Sequence, residues 1–192
     1  MVIAYHCIFG MYGFWLPNDP RGSGSTYIAS YELLRYGPAT KTDSLVSVAK
    51  VKHDHVARLA AKTALQYPAV EITGKQAMCI AQGFRAASEE AIYRIYACAI
   101  LPAHLHLVIG RTERNIRRVV GHLKTRGTQM LKANSLWFED ERPLWGRGGW
   151  NVFLTTKQAV HNSIAYVQAN PVKEGLKPQT WSFVEPFCSN LN

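Results

Sequence analysis

The sequence predicts an α+β sandwich, one antiparallel sheet with helices on one face, interrupted by a long N-terminal insert. Short apolar strand-like runs and amphipathic helical stretches follow one another in the order β–(insert, α)–α–β–β–α–β–α. Hydrophobic residues make up 47% of the 192 residues and charged ones 18%, enough apolar surface for a core and too little charge for a disordered chain. No apolar run approaches the roughly 18–20 residues that a membrane span needs.

The elements follow in order. Val2 to Gly10 is a short apolar run of strand formers closed by glycine, and reads as the first strand. From Tyr12 to about Thr42 the turn residues crowd together (Gly13, Pro17, Asn18-Asp19-Pro20, Gly22, Gly24), which predicts a long irregular loop of functional interest. Ser44 to about Gln66 has helical spacing and ends before Pro68. A second helix fits Thr73 to Ala91, with Thr73 as cap and Ala77, Ile80, Ala81 and Phe84 as its buried stripe. Tyr93 to Leu101 and His104 to Gly110 are strands separated by Pro102-Ala103, a candidate hairpin. Arg114 to about Asn134 repeats apolar residues at helical spacing through Ile116, Val119, Val120, Leu123, Met130 and Leu131. Trp145 to Leu154 reads as a loop entering a fourth strand. Thr155-Thr156 opens a last helix that is expected to stop at Asn170, before Pro171. This order is that of a ferredoxin-like sandwich. The chain, 1–192, is expected as a single domain with an insert at about 13–70 and an irregular tail at about 177–192.

Twenty-two Lys and Arg against thirteen Asp and Glu give a net charge of +9, which favours a polyanionic partner. The excess is uneven: between Arg111 and Lys132 seven basic residues face a single acid, Glu113. A one-signed cluster beside a candidate catalytic strand points to phosphate-backbone binding. The four cysteines, Cys7, Cys79, Cys98 and Cys188, are far apart and form no C-x-x-C pair, so reduced thiols in a cytosolic protein are expected. The opening residues lack a basic segment ahead of an apolar one, and no secretory signal is expected.

The chemistry gathers in two places. His104 and His106 lie two apart on a strand, so both imidazoles project from one face and Leu105 and Leu107 from the other. Two neutral imidazoles side by side suit a divalent metal. His53 and His55 are also two apart, but in an expected helix, where such positions point about 200° away from each other. They read as surface. In the last helix Val160, Ile164 and Val167 mark the buried stripe, while Tyr166 and Asn170, one turn apart, share another face. A phenol and a carboxamide can then address a single site.

Two segments together resemble the HUH single-strand endonucleases, and among them the single-tyrosine transposases of insertion sequences and the REP-associated tyrosine transposases. They are Ala97-Cys98-Ala99-Ile100-Leu101-Pro102-Ala103-His104-Leu105-His106-Leu107-Val108 and Tyr166-Val167-Gln168-Ala169-Asn170-Pro171-Val172-Lys173-Glu174-Gly175-Leu176. The stretches Leu123-Lys124-Thr125-Arg126 and Leu144-Trp145-Gly146-Arg147-Gly148-Gly149 also look familiar, and Tyr5-His6-Cys7-Ile8-Phe9 resembles the family's opening strand. The likeness covers roughly residues 1–10 and 75–185. Two departures stand out: Ala103 where the family most often has Asn, and an insert longer than the minimal family core.

The resemblance implies a transposase-like enzyme that cleaves and rejoins single-stranded DNA. Tyr166 would attack a phosphodiester to leave a 5′-phosphotyrosine and a free 3′-hydroxyl. His104, His106 and Asn170 would hold Mg²⁺ or Mn²⁺, which assists a phenol that is otherwise a poor nucleophile at neutral pH. Arg117, Arg118, Lys124, Arg126 and Arg147 are the candidate DNA contacts, and Trp137, Phe138, Trp145 and Trp150 could stack on unpaired bases or belong to the core. The implied partner is single-stranded or hairpin DNA in the bacterial cytosol, with no membrane, bound by a monomer or a homodimer. Two other readings stay open at this stage: a non-catalytic or domesticated DNA-binding protein on the same fold, and a metal-dependent hydrolase using the two histidines and a water.

Overall fold

The computed structural model describes residues 1–17, 31–37, 54–138 and 141–188. Four strands, β1 (Ala4–Gly10), β2 (Ile95–Ile100), β3 (His104–Gly110) and β4 (Trp150–Leu154), form one antiparallel sheet in the order β2-β3-β1-β4. Among the described residues four α-helices accompany them: α1 (His55–Thr63), α2 (Gly74–Ala91), α3 (Ile116–Ala133) and α4 (Lys157–Lys173). The α+β class and the antiparallel sheet are as the sequence predicts. The chain divides into two compact units: Met1–Ile8 with Ile72–Asp140 and Asn151–Asn192, and Phe9–Glu71 with Glu141–Trp150.

In the first unit β2 and β3 form the expected hairpin, with Ala97 opposite Val108, Cys98 opposite Leu107 and Ala99 opposite His106. The Leu101 N–H donates to the His104 carbonyl at 2.9 Å, which closes the turn that Pro102-Ala103 occupies. Every residue of both strands is buried. A strand buried at all positions has no solvated side, so cover extends to both faces of the hairpin, beyond the one face expected. On one face Val160 and Val167 of α4 pack against Ala4, Ala97, Ala99 and Val108. On the other, Leu105, Leu107 and Ile109 are fully buried.

Helix boundaries follow their caps. Thr73 accepts from the Gln76 N–H while its own N–H donates to Gln76 Oε1, so two otherwise orphan donors at the start of α2 are satisfied. The expected stripe of Ala77, Ile80, Ala81 and Phe84 is buried. Asn115 accepts from the Arg117 N–H at 2.9 Å and starts α3. The helix expected over 44–66 is shorter where it is described. Asp54, in extended backbone, accepts from the Ala57 N–H and sets the start at His55, while 44–53, His53 included, lie outside the described residues.

Two features of the C-terminal region differ from expectation. α4 does not stop at Asn170 but runs through Pro171 to Lys173. A proline in the last turn removes only one backbone donor. Gly175, at φ +74°, then closes the helix: the Leu176 N–H donates to the Pro171 carbonyl at 2.8 Å and the Gly175 N–H to the Val172 carbonyl at 3.0 Å. The tail, expected to be irregular, is stitched to β2, the edge strand. Gln179 accepts from the Ile100 N–H and donates to its carbonyl, both at 2.8 Å, and Trp181 Nε1 donates to the Cys98 carbonyl at 3.1 Å. The Glu185 N–H donates to Ile95 at 2.9 Å beside a parallel bridge from Val184. An edge strand otherwise exposes unpaired amides, and this tail covers them.

The second unit is held by backbone bonds from Tyr12 to Leu144, Val70 to Tyr12 and Gly146 to Gly10. A small apolar cluster of Leu16, Leu33 and Ala61 joins a short 3-10 turn (Tyr31–Tyr36) to α1. Arg142 donates to the Pro68 carbonyl at 2.9 Å. No helix among the described residues is long and apolar enough to cross a membrane. The four cysteines are free thiols, and Cys188 alone among them is exposed.

Helices α2 and α3 meet backbone to backbone at Gly83. A Cβ there would lie 2.6 Å from the Arg126 carbonyl oxygen and 2.8 Å from Gly127 Cα, whereas a Cβ on Gly121 of α3 would meet nothing within 4 Å. Alanine at either site removes the same glycine penalty, so the difference isolates the clash. Gly83→Ala is expected to be less stable than Gly121→Ala by about 1–3 kcal/mol in urea unfolding. Equal midpoints would mean that the helices can separate at no cost.

Candidate functional site

The site grows out of strand alternation on β3. His104, His106 and Val108 share one face, and Val108 is the position on which α4 packs. On β1 the same periodicity puts His6 on the face of Ala4, which also belongs to that packing. Ala99 is the cross-strand neighbour of His106. Small residues at Ala4, Ala97 and Ala99 let the helix settle against the sheet. Burial of Val160 and Val167 then fixes the rotation of α4, and Tyr166 comes down beside the histidines.

The Tyr166 ring lies 5.6 Å from the His106 ring and 5.7 Å from the His6 ring, each in an edge-to-face arrangement. The His104 and His106 rings are 5.0 Å apart. Nε2 of His6 and Nδ1 of His106 are 3.2 Å apart and hydrogen bonded. Asn170, only 7% exposed, donates from Nδ2 to the Tyr166 carbonyl at 3.1 Å, which ties the carboxamide to the turn carrying the phenol without engaging Oδ1. Lys173 places its ammonium 4.7 Å from the centre of the Tyr166 ring. Tyr166 itself is 36% exposed, whereas His6, His104 and His106 are buried. A phenol open to solvent thus stands at the mouth of a buried imidazole cluster.

Burial pushes the His6 imidazole down to about 4. It also holds His106 well below the usual histidine range, with the neighbouring His104, His6 and Lys173 acting in the same direction. Both rings are therefore neutral at pH 7, the state in which an imidazole nitrogen can donate its lone pair. Among the described residues no three His, Cys, Asp or Glu side chains are grouped to hold a metal ion. The expected set, two imidazoles and one amide oxygen, is of another kind, and its chemistry suits a divalent ion.

The structure brings His104, His106, Tyr166 and Asn170 into one neighbourhood. The expected DNA contacts are more dispersed. Arg117 and Arg118 are exposed at the start of α3. Lys124 is half-buried, and burial lowers its ammonium to about 8. Arg126 is engaged by Glu90 and Gln129. Arg147 is exposed and lies in the second unit. Of the aromatics, Trp145 packs edge-on against Phe9, a core role, and Phe138 is 76% exposed. Sequence reasoning missed His6 and Lys173 as members of the site. His6 carries a signal in hindsight, being a polar residue inside an otherwise apolar strand.

Fold and site together define a sheet-borne histidine pair faced by a helical tyrosine. No family model matches the chain. It is 27% identical over 100 residues to a Haemophilus influenzae protein named as a candidate REP-associated tyrosine transposase, covering 48% of this chain and 57% of that one. The match thus spans little more than half of the relative's length. Among solved structures, a REP-associated tyrosine transposase bound to a REP hairpin superposes with a TM-score of 0.48 at 12% identity, over 97% of this chain and 93% of the other. A candidate transposase from Deinococcus radiodurans gives 0.43 at 12% identity, over 87% and 89%. Both scores fall short of the level at which two chains are taken to share a fold. Over about half its length the chain is similar to a protein named as a candidate REP-associated tyrosine transposase, the family that its motifs resemble.

The buried histidines carry a stability consequence. His6 binds a proton more weakly in the fold than in the unfolded chain, so its contribution is complete above pH 6.5 and is lost as pH falls towards 4. For His6 alone the metal-free protein is expected to lose about 2 kcal/mol between pH 7 and pH 5, and His106 adds to the loss. Urea unfolding at the two pH values measures it. A flat profile would mean that the cluster accepts protons without opening.

Proposed function

We propose that this chain nicks and rejoins single-stranded or hairpin DNA as a single-tyrosine transposase-type enzyme. The observation that carries the reading is the Tyr166 ring set 5.6 Å from that of His106, with Asn170 one turn further along the same helix. The motif resemblance and the relative named as a candidate REP-associated tyrosine transposase support it.

Tyr166 Oη attacks phosphorus, a P–O bond to the tyrosine forms, and the bond to the 3′-oxygen breaks. The products are a 5′-phosphotyrosine and a free 3′-hydroxyl. The phenol loses one proton and the leaving oxygen gains one, so the step needs no net acid or base. Because the phosphotyrosine conserves the phosphodiester energy, a 3′-hydroxyl can attack it in turn and rejoin a strand. His104, His106 and Asn170 are the residues that would hold Mg²⁺ or Mn²⁺, which supplies polarisation of a non-bridging phosphate oxygen. Exposure of Tyr166 lets a backbone reach the hydroxyl, and its place in the last turns of a packed helix fixes the angle of attack. The Lys173 ammonium stands over the Tyr166 ring, and its positive charge would favour a phosphate brought to the hydroxyl. The exposed Arg117 and Arg118 serve the flanking phosphates.

Wild type incubated with Mn²⁺ and end-labelled hairpin DNA is expected to give a covalent adduct on a denaturing gel. Tyr166→Phe should give none, while its folding stability stays within about 1 kcal/mol of wild type. His104→Ala and Asn170→Ala should lower adduct yield, with partial recovery of Asn170→Ala in excess Mn²⁺. An undiminished adduct in Tyr166→Phe would assign the attack to another residue.

A further inference from the structure

His6 lies outside the H-x-H and Tyr-x-x-x-Asn motifs, yet it is the most enclosed side chain of the cluster. It is 1% exposed, its Nε2 meets Nδ1 of His106 at 3.2 Å, and its ring stands edge-to-face on Tyr166. Its second nitrogen, Nδ1, is buried with no hydrogen-bond partner among the described residues. Leaving a polar atom orphaned in the core forfeits its hydration with nothing in return. An apolar residue at position 6 would avoid that cost. The residue is therefore poorly explained by packing.

We propose that His6 is a positioning residue that selects the ligating form of His106 and buttresses the nucleophile, an inference that rests on the metal-dependent reading above. The hydrogen bond engages Nδ1 of His106, so only Nε2 is left to ligate. A ligating nitrogen must be bare, which puts the proton of neutral His106 on Nδ1. His106 then donates and His6 Nε2 accepts, and the His6 proton resides on the orphaned Nδ1. Nothing else on β1 can do this, since Ala4 and Ile8, its neighbours on the same face, carry no acceptor side chain. The same ring meets Tyr166 at 5.7 Å, so one side chain fixes both the ligand on β3 and the phenol on α4. Partners of this type commonly contribute 10–100-fold to metal affinity.

Mn²⁺ affinity of the full chain, read from the EPR signal of free Mn²⁺, tests the inference without any turnover. His6→Phe is expected to bind Mn²⁺ about 10–100-fold more weakly than wild type. His6→Gln, whose carboxamide oxygen can accept in place of Nε2, should recover most of the loss. Wild-type affinity in His6→Phe alongside loss in His106→Ala would overturn the positioning role and leave the metal site standing. Wild-type affinity in His104→Ala and His106→Ala as well would remove the metal site itself. Should His6→Phe fail to fold, ¹⁵N NMR of the wild-type imidazoles with Mg²⁺ bound decides: a proton on Nδ1 of His106 supports the role, and a bare Nδ1 overturns it.

Discussion

The contact of α4 with the β2–β3 hairpin is the interaction on which the site depends. Val160 and Val167 sit on a floor of Ala4, Ala97, Ala99 and Val108. Larger side chains on that floor would lift the helix and withdraw Tyr166 from the histidines. Strand alternation does the rest, because any one-residue slip of β3 would turn His104 and His106 to the opposite face. Ends of both elements are therefore secured. The Leu101–His104 bond pins the start of β3, and the Gly175 closure pins the end of α4. The tail bound along β2 adds a further constraint on the hairpin from its outer edge.

Much of this was legible in the residues. The H-x-H on a strand carries its geometry in its periodicity and falls where that periodicity places it, whereas on the helix Asn170 is buried with Val160, Ser163 and Val167 and does not share the exposed face of Tyr166. Thr73 with Gln76 marks the start of α2 because a capping box is local chemistry. The failures have physical reasons. Pro171 reads as a helix stop, but a last-turn proline costs only one donor, and the glycine four residues on sets the real end. His6 went unnoticed because its partners are a strand and a helix distant in sequence. A cross-strand hydrogen bond leaves no periodic trace. The tail reads as irregular for a similar reason, since it meets β2 through the Gln179 amide, the Trp181 indole and a single backbone bridge at Ile95, too little for a strand pattern.

Charge and burial divide the molecule's work. The cluster that would bind the metal is buried and neutral, with His6 and His106 held below their ordinary range. Positive charge sits at the edge of that cluster, on Lys173 over the tyrosine ring, and on the exposed first turn of α3. The seven basic residues between Arg111 and Lys132 are thus not equivalent. Arg126 is neutralised by Glu90 and Lys124 is partly withdrawn from water, whereas Arg117 and Arg118 are exposed.

On the proposed reading Tyr166, and none of the other eight tyrosines, would reach the reacting phosphate. Trypsin cleavage of the covalent DNA adduct, followed by nuclease trimming and mass spectrometry, locates the attachment directly. The residual nucleotide is expected on the peptide Gln158–Lys173, with fragmentation placing it on Tyr166. A nucleotide on a peptide carrying Tyr5, Tyr93 or Tyr96 would contradict it.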